Sequence, residues 1–182
     1  MIIEATSLPG VKVVNPNPFE DERGYFFESF RSEVFMEYGL PENFVQDNET
    51  KSTKGVLRGL HYQLNRPQGK LVRVIFGSVL DIAVDVRTGS PTFGNSESVV
   101  LSSINKNMLY VPEGFAHGYL VTSDEAVVTY KCTDYYDAGD QYGILWNDET
   151  LGLDWGIEFP TLSEKDKILP KLKDQQNLPV YL

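Results

Sequence analysis

The length of 182 residues predicts one domain over residues 1–182. With 41% hydrophobic and 23% charged residues, the composition is that of a globular protein and argues against intrinsic disorder. Its net charge of −10 argues against nucleic acid and anionic membrane surfaces as partners, and no apolar run is long enough to predict a membrane span. Cys132 is the single cysteine, which excludes an intramolecular disulfide and a cysteine-based zinc site and predicts a cytoplasmic location.

The first strong structural signal along the chain is an aromatic strand over residues 24–30, followed by a short helix over 32–38. Between residues 43 and 143, short β-rich segments alternate with turn signals rich in Gly, Pro, Asn and Ser. Turns at intervals of roughly 8–12 residues are typical of sandwiches, jelly rolls and barrels. The fold class is therefore predicted to be all-β.

Within this β region, the strand over residues 79–86 places Asp81 and Asp85 on one face, because side chains alternate along a strand. That face is expected to meet either solvent or a polar barrel interior. Further along, residues 162–168 are predicted to form a short helix. The polar tail 171–182 is expected to lie on the surface or on a partner.

Charge is distributed unevenly along this acidic chain, because no acidic residue lies between Glu49 and Asp81. The window between them holds six cationic residues: Lys51, Lys54, Arg58, Arg66, Lys70 and Arg73. Such a window indicates either a local site for a small anion or the solvated face of a strand. The charge pattern alone leaves both interpretations open.

One of the two histidines, His61, lies on the predicted strand over residues 55–63, on the same face as Gln63 and as Gly59, which leaves room beside it. An imidazole with space in front of it can act as a base near neutral pH. A hydrogen-bonded core histidine is the alternative, and the spacing by itself favours that alternative.

The other histidine, His117, ends a Pro-x-Gly-x-x-His pattern over residues 112–117 that resembles the second cupin motif. In metal-binding cupins this histidine is a ligand, and the first motif supplies further histidines and a glutamate. Here the first-motif region offers only His61. We therefore expect a cupin shape without a metal site, which leaves acid–base chemistry or anion binding.

Two further residues have both structural and functional interpretations. Tyr130, on the strand over residues 127–136, could be a buried acid, although cross-strand packing is the commoner role of a strand tyrosine. Asp166 follows Ser163 in the spacing of a capping box at a helix start. Only a neighbour in space, such as His61, would give this carboxylate a catalytic role.

Taken together, the motifs closely resemble the dTDP-4-dehydrorhamnose 3,5-epimerase family over residues 3–170. The matching segments occur in the order 21–28 (DERGYFFE), 44–48, 55–61 (GVLRGLH), 69–73, 89–94, 112–118 (PEGFAHG), 130–132, 144–148 and 162–166 (LSEKD). The resemblance implies a cupin-type jelly roll without metal or cofactor, assembled as a homodimer. It also implies inversion of the two carbons beside the ketone of a dTDP-sugar.

The resemblance assigns catalytic roles to four residues. It makes His61 the base, held by Asp166, and Tyr130 the acid on the opposite face of the sugar ring. Lys70 would lie near the ketone oxygen, where it could stabilise an enolate.

The same resemblance assigns binding roles to a larger set. It implies sugar and diphosphate contacts for Arg58 and His117, a phosphate contact for Lys165, and stacking of Tyr136 on thymine. The remaining implied contacts are Arg23, Glu28, Gln46, Asp47, Asn48 and Gln141. The strand over residues 23–28 is expected to come from the partner subunit. Gln141 stands where many relatives have glutamate.

On a regular strand, Arg58 and His61 would point to opposite faces, because one position is even and the other odd. If both line one pocket, the strand must be irregular between them. We therefore predict a bulge between them at Gly59. Three other functions remain open from the sequence: an epimerase of one carbon only, a nucleotide-sugar binding protein without catalysis, and a metal cupin.

Overall fold

The structure, a computed structural model, describes residues 1–181 and consists mainly of β-strands. The strands are β1 (Ile2–Ala5), β2 (Lys12–Asn15), β3 (Phe19–Asp21), β4 (Gly24–Phe26), β5 (Gln46–Thr53), β6 (Leu57–Gln63), β7 (Lys70–Phe76), β8 (Ser78–Asp85), β9 (Ser96–Ser102), β10 (Met108–Val111), β11 (Phe115–Val121), β12 (Glu125–Cys132) and β13 (Gln141–Gly143). The helices are α1 (Ser32–Glu37), α2 (Glu164–Lys167) and a 3₁₀ helix (Leu172–Asp174).

Two antiparallel sheets form the body of the domain. A six-stranded sheet has the order β1-β2-β10-β7-β12-β5, and a five-stranded sheet has the order β13-β6-β11-β8-β9. Buried side chains from both sheets, such as Val72 and Val128 on one and Ala83 and Phe115 on the other, form one hydrophobic cluster between them. The all-β jelly-roll prediction is confirmed.

The alternation in β8 resolves where its two aspartates lie. Val79 and Ala83 belong to the cluster between the sheets, whereas Ile82 and Val84 pack on the outer face. Asp81 shares the parity of the inner residues and is completely buried. Of the two environments expected for this face, Asp81 therefore occupies the interior.

The C-terminal segment covers the outer face of the five-stranded sheet. Trp155 and Leu172 pack with the outer residues of β8, and Val180 forms a bridge with Thr88. The predicted tail thus lies on the domain's own surface and is anchored by a buried leucine. Leu182, its last residue, lies outside the described residues. No helix within residues 1–181 has the length and apolar character needed to cross a membrane.

The pairing of β6 with β11 contains the bulge expected at Gly59. His117 pairs with His61 and Tyr119 pairs with Arg58, so two residues of β6 lie opposite one residue of β11. The extra residue changes the alternation and turns Arg58 and His61 toward the same cavity. Gly59 has a φ of +108°, a conformation that L-residues rarely adopt. The predicted bulge is confirmed.

Replacing Gly59 with alanine should destabilise the fold by on the order of 3 kcal/mol, through positive-φ strain and a steric clash. A Cβ there would lie 2.5 Å from the His117 carbonyl oxygen and 2.6 Å from the Gly118 Cα. Gly89→Ala is the matched control, because φ is also positive (+86°) but nothing lies within 4 Å. Urea unfolding should show the larger loss for the first variant; equal losses would contradict a packing role for Gly59.

Candidate active site

A cavity of about 630 Å³ lies between the two sheets, a volume suited to a small-molecule ligand. Strands β5, β7 and β12 line it from one side, and β6 and β11 line it from the other. The sequence-predicted residues that line this cavity are Gln46, Asn48, Arg58, His61, Lys70, His117, Tyr130, Tyr136, Gln141, Lys165 and Asp166.

His61 and Asp166 form a close pair at the wall of the cavity. Asp166 Oδ1 lies 2.6 Å from His61 Nε2, and the side chains are 5% and 27% exposed, respectively. Burial by itself would raise the pKa of Asp166, but hydrogen bonds from His61, Ser163 and the Gly59 backbone, with attraction to the imidazole, hold it below its usual value. An ionised carboxylate accepts the Nε2 hydrogen, so Nδ1 is left as the basic nitrogen.

Helix α2 explains how Asp166 serves both interpretations offered by the sequence. The Ser163 side chain caps the helix by accepting the backbone N–H of Asp166, at 3.2 Å. The Asp166 carboxylate is therefore not needed for the cap and turns toward His61. The cap and the carboxylate–imidazole pair exist together, and the first positions the second.

Tyr130 lies on β12, in the sheet opposite His61, and lines the same cavity. Burial raises the pKa of this phenol to about 12, with Cys132 and Tyr119 adding to the effect and Arg58 opposing it. At neutral pH the hydroxyl therefore keeps its proton. The cavity thus holds a proton acceptor on one wall and a proton donor on the other.

Two cations from the basic window reach the cavity. Arg58 holds its guanidinium against Ser52 Oγ, at 3.2 Å from Nε and 3.1 Å from Nη2. Burial lowers the pKa of Lys70, an effect that Cys132 and Asp81 oppose. Both side chains can balance negative charge on a ligand.

The other cations of the window lie elsewhere. Lys51, Lys54 and Arg66 pair with surface carboxylates, and Arg73 lies over the ring of Phe27. The window therefore combines both interpretations left open by the sequence, because part of it lines the cavity and part is a solvated face.

A second histidine–carboxylate pair lies beside the first. His117 Nε2 is 2.8 Å from Oδ1 of Asp81, and both side chains are buried. His117 lies directly opposite His61 in the pairing of β11 with β6. The two imidazoles therefore occupy neighbouring strands of one wall.

Hydrogen-bonded polar residues form one end of the cavity lining. Tyr136 donates its backbone N–H to Gln46 Oε1 at 2.8 Å and its hydroxyl to Gln141 Oε1 at 2.9 Å. Gln46 donates in turn to Asn48 Oδ1 at 2.9 Å. With half of its surface exposed, the Tyr136 ring offers a stacking platform for a planar group.

A base, an acid on the facing wall and two cations suit proton transfer at a carbon made acidic by a neighbouring carbonyl, in an anionic substrate. His, Cys, Asp and Glu side chains of the described chain nowhere form a group of three that could hold a metal ion.

The family model for dTDP-4-dehydrorhamnose 3,5-epimerase matches residues 5–174. The chain belongs to this family. A curated member from Methanothermobacter thermautotrophicus, named dTDP-4-dehydrorhamnose 3,5-epimerase, is 49% identical over 180 residues, which cover 97% of this chain and 96% of that protein.

Solved structures of relatives have the same fold. The Legionella pneumophila dTDP-6-deoxy-D-glucose-3,5-epimerase, in complex with dTDP-4-keto-L-rhamnose, has a TM-score of 0.96 and 46% identity, covering 100% of this chain and 98% of that one. ChmJ, a 3′-monoepimerase from Streptomyces bikiniensis in complex with dTDP-quinovose, has a TM-score of 0.91 and 33% identity, covering 97% and 92%. Overall shape therefore does not separate double from single epimerases.

Three residues that the epimerase family pattern implicates do not line this cavity. Arg23 and Glu28 belong to the exposed segment around β3 and β4, where Arg23 pairs with Asp21 and Glu28 pairs with Arg31. Asp47 is 3.0 Å from Lys131 Nζ, on the opposite face of β5 from Gln46 and Asn48, because side chains alternate along a strand.

Sequence reasoning did not include Tyr119, Thr50 or a role for Asp81. The Tyr119 hydroxyl lies 2.6 Å from Thr50 Oγ1, and both residues line the cavity. Tyr119 is two positions after His117 on β11, so strand alternation could have placed it beside that histidine. Nothing local indicates that Asp81 would contact His117.

Proposed function

We propose that the chain inverts C3 and C5 of dTDP-4-dehydro-6-deoxyglucose, with His61 as the base and Tyr130 as the acid. The observation that carries this proposal is the placement of these two side chains on facing walls of one cavity. Family membership supports the reaction type, and the cations at Arg58 and Lys70 support an anionic substrate.

Each inversion is a pair of proton transfers next to the C4 ketone. His61 Nδ1 removes the proton from C5 or C3, and the electrons of that C–H bond pass into the carbonyl to form an enolate. Lys70 stabilises the enolate oxygen by charge and hydrogen bonding. The electrons then return to carbon, which takes the Tyr130 hydroxyl proton from the opposite face. Solvent exchange restores both groups, so no redox partner is required.

Binding of the nucleotide uses the polar parts of the same cavity. Arg58, His117 and Lys165 are proposed to neutralise the diphosphate, because each can donate a charged hydrogen bond. Tyr136 is proposed to stack on thymine, with its hydroxyl already held by Gln141. Gln46 and Asn48 supply amide groups for the nucleoside.

A second copy of the chain is proposed to complete the site as a homodimer. Phe19, Tyr25 and Phe26 of the β3–β4 hairpin are 66%, 54% and 72% exposed. Such an aromatic surface favours burial against another protein. In the dimer, Arg23 and Glu28 would reach the cavity of the partner, with Asp47 in a supporting contact. The cytoplasmic location stays a prediction.

The decisive experiment is proton NMR of the dTDP-sugar with enzyme in D₂O. The proposal predicts that deuterium enters at both C3 and C5. Deuterium at one carbon only would favour a single epimerase, and no exchange would favour a binding protein. Elemental analysis in parallel tests the metal cupin, because a tightly bound stoichiometric metal would contradict this mechanism.

A further inference from the structure

Asp81 is a buried carboxylate that the proposed mechanism does not use. It is completely inaccessible to solvent, at the middle of β8. Tyr119 is its directly paired residue on β11, so His117, two positions from Tyr119, is a diagonal neighbour on the same face. Asp81, His117 and His61 therefore form a row across three adjacent strands.

The contact between Asp81 and His117 has the same form as the contact between Asp166 and His61. In both pairs a carboxylate Oδ1 meets Nε2 of the imidazole, at 2.8 Å and 2.6 Å, respectively. In both pairs the histidine lines the cavity. The geometry therefore directs the other ring nitrogen, Nδ1, away from the carboxylate in each case.

Stability alone does not account for Asp81. Its second oxygen, Oδ2, is buried and has no hydrogen-bond partner in the part of the chain that the structure describes. A buried carboxylate with an unsatisfied oxygen disfavours the folded state unless a nearby cation compensates it. The titratable groups around the pair include Lys70 on β7 and Tyr119 on β11, which interact electrostatically with Asp81, and His61 on β6, which lies opposite His117.

We propose that Asp81 is a positioning residue that accepts the Nε2 hydrogen of His117, so that Nδ1 faces the cavity and donates to the diphosphate of a bound nucleotide. The inference rests on the proposed function for the identity of that ligand. An imidazolium–carboxylate pair is neutral overall but presents its positive end to the cavity. A neutral imidazole over the same carboxylate would instead leave a buried negative charge near an anion.

The two-histidine composition makes a direct test possible, because the ¹⁵N spectrum of the rings contains only His61 and His117. In the free wild-type protein we expect the His117 proton on Nε2, and with saturating dTDP we expect protons on both nitrogens. Asp81→Asn should move the His117 proton toward Nδ1, because the asparagine amide can donate to Nε2. His61 serves as the internal control.

Calorimetric binding of dTDP provides the second measurement. Asp81→Asn should weaken binding about tenfold, because a neutral imidazole can still donate from Nδ1 but without the positive charge that strengthens a hydrogen bond to the diphosphate. In a His117→Asn background the same change should have no further effect. Asp85→Asn is the matched control: Asp85 is equally buried on β8, but its partners are Arg87, Ser90 and Thr92. It should change neither the His117 spectrum nor dTDP affinity.

A wild-type His117 ring protonated on Nδ1 alone would overturn the proposal, even if Asp81→Asn did not fold. An unchanged ring spectrum in Asp81→Asn, or an equal loss of affinity in the His117→Asn background, would do the same. Neither measurement depends on turnover. A protein that binds dTDP in this way but exchanges no protons would refute the proposed epimerisation and leave the role of Asp81 intact.

Discussion

Replacing His61 with asparagine should lower kcat by at least about 10³-fold, because the variant lacks the proposed base, and the other imidazole on that wall, His117, is proposed to contact the diphosphate rather than the sugar carbons. Asparagine keeps an amide that can donate to Asp166, so the buried carboxylate retains a hydrogen-bond partner and the fold should survive. The variant should also no longer incorporate deuterium at C3 or C5, since proton removal precedes every later step.

Turnover of this variant is measured with a downstream reductase and NADPH, beside the wild-type enzyme. Calorimetry with dTDP is the control, because a His61 that acts as the base should leave nucleotide affinity within about threefold of wild type. Retention of more than a tenth of wild-type turnover would show that His61 is not the base and would revive the binding-protein interpretation.

Replacing Tyr130 with phenylalanine should separate proton exchange from inversion. Phenylalanine preserves the ring but removes the hydroxyl, so formation of the inverted product should fall by about 10²- to 10⁴-fold. The base on the opposite wall remains, and it can remove a proton and return solvent deuterium to the same face. Deuterium should therefore appear in substrate that has kept its original configuration.

Proton NMR in D₂O distinguishes these outcomes directly, with the His61→Asn protein as the comparison. If Tyr130→Phe loses deuterium exchange as completely as His61→Asn does, Tyr130 and His61 do not act in separate steps of the reaction. Product formation at the wild-type rate would assign the acid role to another group, such as Tyr119, which lines the same cavity.

Local pattern was sufficient where neighbours along the chain determine the structure. The turn-separated β segments, the helix after residue 31 and the cap at Ser163 agree with the observed elements. The aromatic strand is shorter than the predicted 24–30: β4 ends at Phe26. Glu28, which follows the end of this strand, forms an ion pair with Arg31. The bulge at Gly59 could also be anticipated, since it follows from parity and from one residue without a Cβ.

Contacts between residues that are distant along the chain could not be predicted from such local patterns. His61 and Asp166 are separated by 105 positions, and Asp81 and His117 by 36, so each pair depends on how strands and helix are brought together. Parity placed Asp81 and Asp85 on one face but left solvent and interior equally possible. The tertiary structure resolved this, because the packing of Val79 and Ala83 determines which face of β8 is inside.

The amino-acid order by itself determined the all-β class, the family, the single cysteine and the supply of bases, acids and cations. Only the folded chain decided which of them share a cavity and which carboxylate contacts which imidazole. The physical reason is range: backbone preference and alternation act over a few residues, whereas proton transfer requires groups from distant strands to lie within a few ångströms.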